Sequence, residues 1–122
     1  MYIVHHAHLR HQRSDGEQRF AAADKSLGVQ HFEVWMRTLE PGAHSLEKCH
    51  AGELVVLMLS GCGKLLVDGG PQRFCAPCTV LVPPGVPFQF VNNGTEDLKM
   101  VAVSTTTPVP TQAPQAVDET GA

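Results

Sequence analysis

The sequence predicts an all-β fold, an antiparallel sandwich or barrel built as one domain. Three observations carry this. Between Val29 and Val103, short runs of β-branched and aliphatic residues alternate with Gly, Pro and Asn. The breaks recur at short, even spacing, as hairpin-linked strands require. No 11-residue window in that stretch carries the apolar stripe of an amphipathic helix.

The elements follow in chain order. Residues 1–28 are polar and irregular and read as an N-terminal strand and loop. They hold His5, His6, His8 and His11, four of the seven histidines. The barrel itself spans 29–104. Its strands are expected over 30–40, 44–50, 53–60, 63–68, 72–75, 79–83, 87–92 and 97–104. Turns fall at Pro41-Gly42, Ala51-Gly52, Gly61, Asp68-Gly69-Gly70, Pro83-Pro84-Gly85 and Asn92-Asn93-Gly94. Asp-Gly and Asn-Gly pairs tolerate the positive φ of tight hairpins. The run Leu54-Val55-Val56-Leu57-Met58-Leu59 is apolar at every position, whereas a half-exposed antiparallel strand alternates. It is therefore expected to face the barrel interior on one side and another sheet or subunit on the other. From Thr105 to Ala122 the chain is rich in Pro and Thr. It has too few bulky groups to offset its ordering entropy, so a disordered tail is expected.

Composition narrows the function. A chain of 122 residues fits one domain, and 43% hydrophobic residues suffice for one core. Charged residues reach only 17%, below the usual quarter or so. That points to a surface partly covered by a second copy, a homodimer. The formal net charge is −3 and no Lys/Arg cluster occurs, which argues against nucleic acid as a partner. No apolar run approaches the roughly 20 residues of a membrane span, and the N-terminus lacks the pattern of a secretory signal. A cytoplasmic location is the expectation. The four cysteines, Cys49, Cys62, Cys75 and Cys78, are accordingly expected as reduced thiols. Cys75-Ala76-Pro77-Cys78 is formally C-x-x-C, but it lacks both a second pair and a following helix.

Two spaced motifs lie in the barrel region. The first runs Gly42, five residues, Lys48-Cys49-His50, three residues, Leu54, six residues, Gly61. The second runs Pro77, five residues, Pro83-Pro84-Gly85, two residues, Phe88, three residues, Asn92. This skeleton resembles the cupin superfamily, in particular its small single-domain, type-2 conserved-barrel members. The resemblance implies a double-stranded β-helix, the RmlC-like jelly-roll barrel. In metal-binding cupins two His of an H-x-H pair, a Glu and a third His hold one ion. Here those positions are Lys48, His50, Leu54 and Phe88, so one ligand of four remains. Leu54 and Phe88 have no donor atoms. A +1 charge about 4 Å from a dication costs roughly 8 kcal/mol at an effective dielectric near 20. No metal and no cofactor are therefore expected. Cys49 and Glu53 have the wrong strand parity to replace the lost ligands, although a slip at the Ala51-Gly52 turn could turn Glu53 inward.

Strand parity instead gives a mostly apolar pocket with one cation and one imidazole. Lys48, His50, Leu54, Met58, Phe88 and Phe90 are the expected ligand-binding residues, with Val56 on the same wall. Lys48 could clamp an anion or, if desolvated, act as a base or a Schiff-base amine. His50 could serve as a hydrogen-bond anchor or an acid–base group. Glu33, Trp35 and Arg37 form a second same-face set, read first as an edge-strand face in a dimer interface. Arg37 could alternatively bind an anion.

Three functions are compatible with this pocket. The first is a metal-independent barrel that binds a small polar or anionic organic ligand. The second is an isomerase- or epimerase-like enzyme with His50 and Lys48 as its catalytic proton-transfer pair. The third is a dioxygenase-like metalloenzyme with an atypical ligand shell. The sequence alone does not decide whether the chain is an enzyme.

Overall fold

The computed structural model describes residues 1–67 and 70–106. The expected tail, beyond its first two residues, lies outside that range. Ten strands form two antiparallel sheets among the described residues. They are β1 (Gln12–Ser14), β2 (Glu17–Ala23), β3 (Phe32–Leu39), β4 (Lys48–Cys49), β5 (Leu54–Ser60), β6 (Cys62–Val67), β7 (Gly70–Cys75), β8 (Cys78–Val82), β9 (Pro87–Val91) and β10 (Leu98–Thr105). One sheet has the order β1-β2-β3-β10-β5-β8 and the other β4-β9-β6-β7. Helical structure in the described residues is limited to single 3₁₀ turns at His6–His8 and Lys25–Leu27. The chain passes repeatedly from one sheet to the other, which gives the jelly-roll sandwich that the turn spacing predicts.

The two sheets bury a core of Leu39, Val56, Met58, Phe90, Leu98 and Met100, each at most 1% exposed. Side-chain alternation on β5 produces it: Leu54, Val56 and Met58 point inward. Among the described residues no other sheet covers the outward set. Leu57 and Leu59 are 40% and 53% exposed, and Leu81 on the neighbouring β8 is 71% exposed. Motif glycine Gly61 has φ +93°, and a Cβ there would lie 2.6 Å from the Asp97 carbonyl oxygen. Only glycine fits that crossing.

Two local features depart from expectation. The strand expected over 44–50 shrinks to Lys48–Cys49. Its first half still docks on β9, but Ser45 Oγ accepts the Phe90 N–H at 3.0 Å, so a hydroxyl stands where a ladder carbonyl would. His44 makes one isolated bridge to Val91 and remains exposed.

The second departure is a correction. Cys62 and Cys75 form a disulfide, so the four thiols are not all reduced. The β6–β7 register places these two residues directly opposite each other. Direct opposition across an antiparallel pair brings Cα atoms within bridging range, here 4.1 Å. Cys49, exposed, and Cys78, half-buried, are free.

The N-terminal segment adds a hairpin. Asp15 and Gly16 have φ of +44° and +80°, the geometry of a two-residue primed turn, and they join β1 to β2. Strand β2 then pairs with β3, so β3 is an interior strand.

Candidate functional site

A cavity of about 270 Å³ lies between the sheets. Its walls follow from register. On the six-stranded sheet the inward rungs run Glu33–Ser104–Leu54, then Trp35–Ala102–Val56, then Arg37–Met100–Met58. The first two rungs line the cavity, and from the third only Arg37 does. The opposing wall is Lys48, Phe88 and Phe90, with Lys48 and Phe88 direct partners on β4 and β9. His50 follows β4 and lines the same space.

Lys48, His50, Leu54, Phe88 and Phe90 thus come together, as does Val56. Met58 does not line the cavity. It is 1% exposed in the core, one rung further along β5 than Val56. The Glu33-Trp35-Arg37 face is corrected from an edge-strand surface to a cavity wall. The β1–β2 hairpin covers what would have been the edge, and all three side chains line the cavity.

The N-terminal hairpin also supplies Gln12 and Arg19. Arg19 stands opposite Arg37 across β2–β3, lies over the Trp35 ring at 5.5 Å and donates to Gln12 Oε1 at 3.2 Å. Sequence reading missed both residues. The signal was the Asp15-Gly16 pair, flanked by a run in which Glu17 and Arg19 share a face.

Most of the charge lies on the six-stranded sheet's side of the cavity, with Lys48 facing it from the other wall. Arg37 is 8% exposed. Its Nε donates to Glu17 Oε2 at 2.6 Å. Its Nη2 lies 2.5 Å from the same oxygen, at an angle that makes no hydrogen bond, and finds no other acceptor among the described residues. A buried guanidinium nitrogen without an acceptor is costly, and native structures rarely leave one so. Glu33 is engaged by Trp35, whose Nε1 donates to Oε1 at 2.9 Å. Burial holds the Lys48 ammonium below its ordinary 10.5; the Arg37 and Arg19 guanidiniums push the same way, and Glu17 opposes them.

His50 has a defined tautomer. The Gly52 N–H donates to its Nδ1 at 3.3 Å, so Nδ1 is unprotonated and Nε2 carries the hydrogen. The imidazole therefore offers the cavity a donor, while its basic nitrogen is occupied by the backbone.

The donor set does not fit a metal. The positions that hold the ion in metal-binding relatives carry Lys48, His50, Leu54 and Phe88. Glu53 and Cys49 are exposed. Among the described residues no three His, Cys, Asp or Glu side chains gather as a metal-binding group. A larger hollow of about 400 Å³ opens between edge strands β7 and β8, lined mainly by apolar side chains with Gln72 and Arg73. Of the motif residues it contains only Pro83, and none of the four positions Lys48, His50, Leu54 and Phe88.

Residues 35–104 match the cupin domain family. The chain belongs to the cupin family. Auxin-binding protein 1 from Arabidopsis thaliana is 29% identical to this cupin over 91 residues, covering 67% of the chain and 46% of that relative. The cupin thus spans about half the length of the curated relative it matches. Among solved structures, the polyketide cyclase RemF from Streptomyces resistomycificus superposes with a TM-score of 0.74 at 19% identity, covering 90% of this cupin and 82% of RemF. An RmlC-like cupin from Shewanella frigidimarina gives a TM-score of 0.73 at 15% identity, with coverage of 88% and 92%. Both likenesses are of fold alone. The family match begins at Trp35, so Gln12, Arg19 and Glu33 of the cavity lie before it.

Proposed function

We propose that this cupin binds a small organic carboxylate in its barrel cavity without a metal ion. The observation that carries this reading is the buried Arg37 beside the cavity, whose Nη2 is ion-paired with Glu17 but makes no hydrogen bond among the described residues. A carboxylate oxygen would complete its hydrogen bonding. Lys48 and Arg19 add positive charge on the same space, and His50 adds a neutral donor. Leu54, Val56, Phe88 and Phe90 provide apolar walls for the rest of a small molecule. A planar guanidinium suits the two oxygens of a carboxylate.

The test uses the protein's only tryptophan, which lines the cavity. Small carboxylates are titrated against Trp35 fluorescence alongside their isosteric amides. Saturable quenching by the acids, at least about tenfold tighter than by the amides, is expected; a charged hydrogen bond contributes roughly 1.5–3 kcal/mol. Equal response to acid and amide would overturn the reading.

A further inference from the structure

Lys48 differs from the chain's other lysines in its surroundings. Of the four lysines, it alone lines the barrel cavity; Lys25 and Lys99 are exposed. Every charged group on the cavity wall is identifiable. Among the described residues, strand β2 presents Arg19, β3 presents Glu33 and Arg37, and His50 follows Lys48 on its own segment, while Glu17 pairs with Arg37 from outside the lining. The cavity residues of β5, β9 and β10 add no titratable group. Both carboxylates already have partners, Glu17 in Arg37 and Glu33 in Trp35. Among the described residues Lys48 therefore has no hydrogen-bonded carboxylate of its own, and two guanidiniums share its space.

An amine so placed is a nucleophile rather than an ion-pair partner. We propose that Lys48 captures small 2-oxo carboxylates as an imine, with the ligand carboxylate seated on Arg37. This inference rests on the carboxylate-binding reading above and adds a covalent step to it. The cavity of about 270 Å³ suits a ligand of a few heavy atoms. The lone pair of Nζ attacks the carbonyl carbon, a C–N bond forms, and the π pair moves to oxygen. A proton passes from nitrogen to that oxygen and gives the carbinolamine. Uptake of one proton from solvent then breaks the C–O bond, releases water and leaves the protonated imine. No oxidant or reductant is needed. The Nε2–H of His50 donates a hydrogen bond to the oxygen as charge develops on it. The lowered proton affinity of Lys48, caused first by burial and then by Arg37 and Arg19, raises the fraction of free amine near neutrality.

The full chain is mixed with pyruvate at pH 7.5, reduced with borohydride, digested and mapped by mass spectrometry. One adduct per chain on Lys48 is expected, with Lys25, Lys64 and Lys99 modified at least about tenfold less, since Lys48 alone lines the cavity that seats the ligand carboxylate and a charged hydrogen bond is gained there. Acetone, a ketone without the carboxylate, should label Lys48 at least about tenfold less than pyruvate, as loss of a charged hydrogen bond implies. Trp35 fluorescence is followed with pyruvate in the absence of borohydride. Lys48→Arg should lose the adduct, while an unchanged far-UV circular dichroism spectrum shows that the variant is folded. Quenching without an adduct on Lys48 would overturn the imine and leave the carboxylate site standing. Neither quenching nor adduct would overturn both. Adducts spread evenly over the four lysines would overturn the imine as well.

Discussion

Glu17 on β2 reaches diagonally to Arg37 on β3, with side chains 12% and 8% exposed and a single carboxylate oxygen joining them. A pair buried to this degree gains little over an apolar isostere, but removing one partner strands the other charge. Glu17→Gln should therefore destabilise the fold by roughly 3 kcal/mol, read from urea midpoints. The same variant should bind small carboxylates more tightly, because the ligand becomes the only anion facing Arg37. Unchanged stability together with unchanged affinity would show that the pair is not coupled to the cavity.

Lys48 gives a pH-dependent prediction. Its proton is held less tightly in the folded chain than the ordinary 10.5, first because of burial and then because of Arg37 and Arg19. Between the lowered value and 10.5 the unfolded chain carries more protons, so stability rises with pH across that window. Below it the full cost of the buried ammonium is present. Lys48→Met removes that cost and should be more stable than the parent at pH 7. Its advantage should shrink as pH approaches 10.5. A difference that stays constant from pH 7 to 10 would exclude Lys48 as its source.

Asn92, the last residue of the second motif, is fully buried. Its Nδ2 donates to the Leu39 carbonyl at 2.9 Å and the Glu96 carbonyl at 2.8 Å, and its Oδ1 accepts the Gly94 N–H at 3.0 Å. Asn92→Ala removes three hydrogen bonds to the backbone, of which the one to the Leu39 carbonyl is fully buried. A loss of about 2 kcal/mol is expected, since a buried unsatisfied group costs about 1–3 kcal/mol. Thermal or urea unfolding measures it, and a loss below about 1 kcal/mol would mean that solvent replaces these bonds.

The outer apolar face of β5 and β8 leads to an assembly prediction. Leu57, Leu59 and Leu81 stand on one exposed face with the half-buried Val55 beside them. Two copies are expected to pair across this face, because an uncovered patch of this kind promotes aggregation. Light scattering should report a dimer at micromolar concentration, and Leu57→Lys should shift it to monomer. A monomeric parent chain would count against this.

Metal content provides another test. A variant lacking residues 1–11, which removes His5, His6, His8 and His11, should carry no stoichiometric iron, zinc, manganese or nickel after dialysis. One equivalent per chain, lost on His50→Ala, would contradict the reading of the donor set.

Much of this architecture was legible in the sequence because strand parity and turn residues are local properties. Parity placed Leu54, Val56 and Met58 on one face, and the motif spacing placed Lys48 beside Phe88. Parity does not give depth, however. Each step of two residues along β5 moves about 6–7 Å down the barrel. Leu54 and Val56 therefore reach the cavity, while Met58 falls in the core. The Cys62–Cys75 bridge was encoded in the hairpin register. Val67 pairs with Gly70, and counting outward from that pair sets Cys62 opposite Cys75. The inference from compartment to free thiols did not use this register. Arg19 was hidden for a different reason: the β1–β2 segment is polar, and its role emerges only when β2 pairs with β3. The same pairing turned Trp35 and Arg37 from a surface face into a wall of the site.

That hairpin has an evolutionary consequence. Gln12 and Arg19, and the carboxylate that neutralises Arg37, sit on a short segment joined to the barrel by one strand pairing and lying before the region shared with the family. The barrel supplies a common apolar chamber, and the hairpin supplies much of its charge. Exchange of that hairpin would change the charge of the chamber while leaving its scaffold intact. Diversification of such a protein needs no change in its core, only a new front panel.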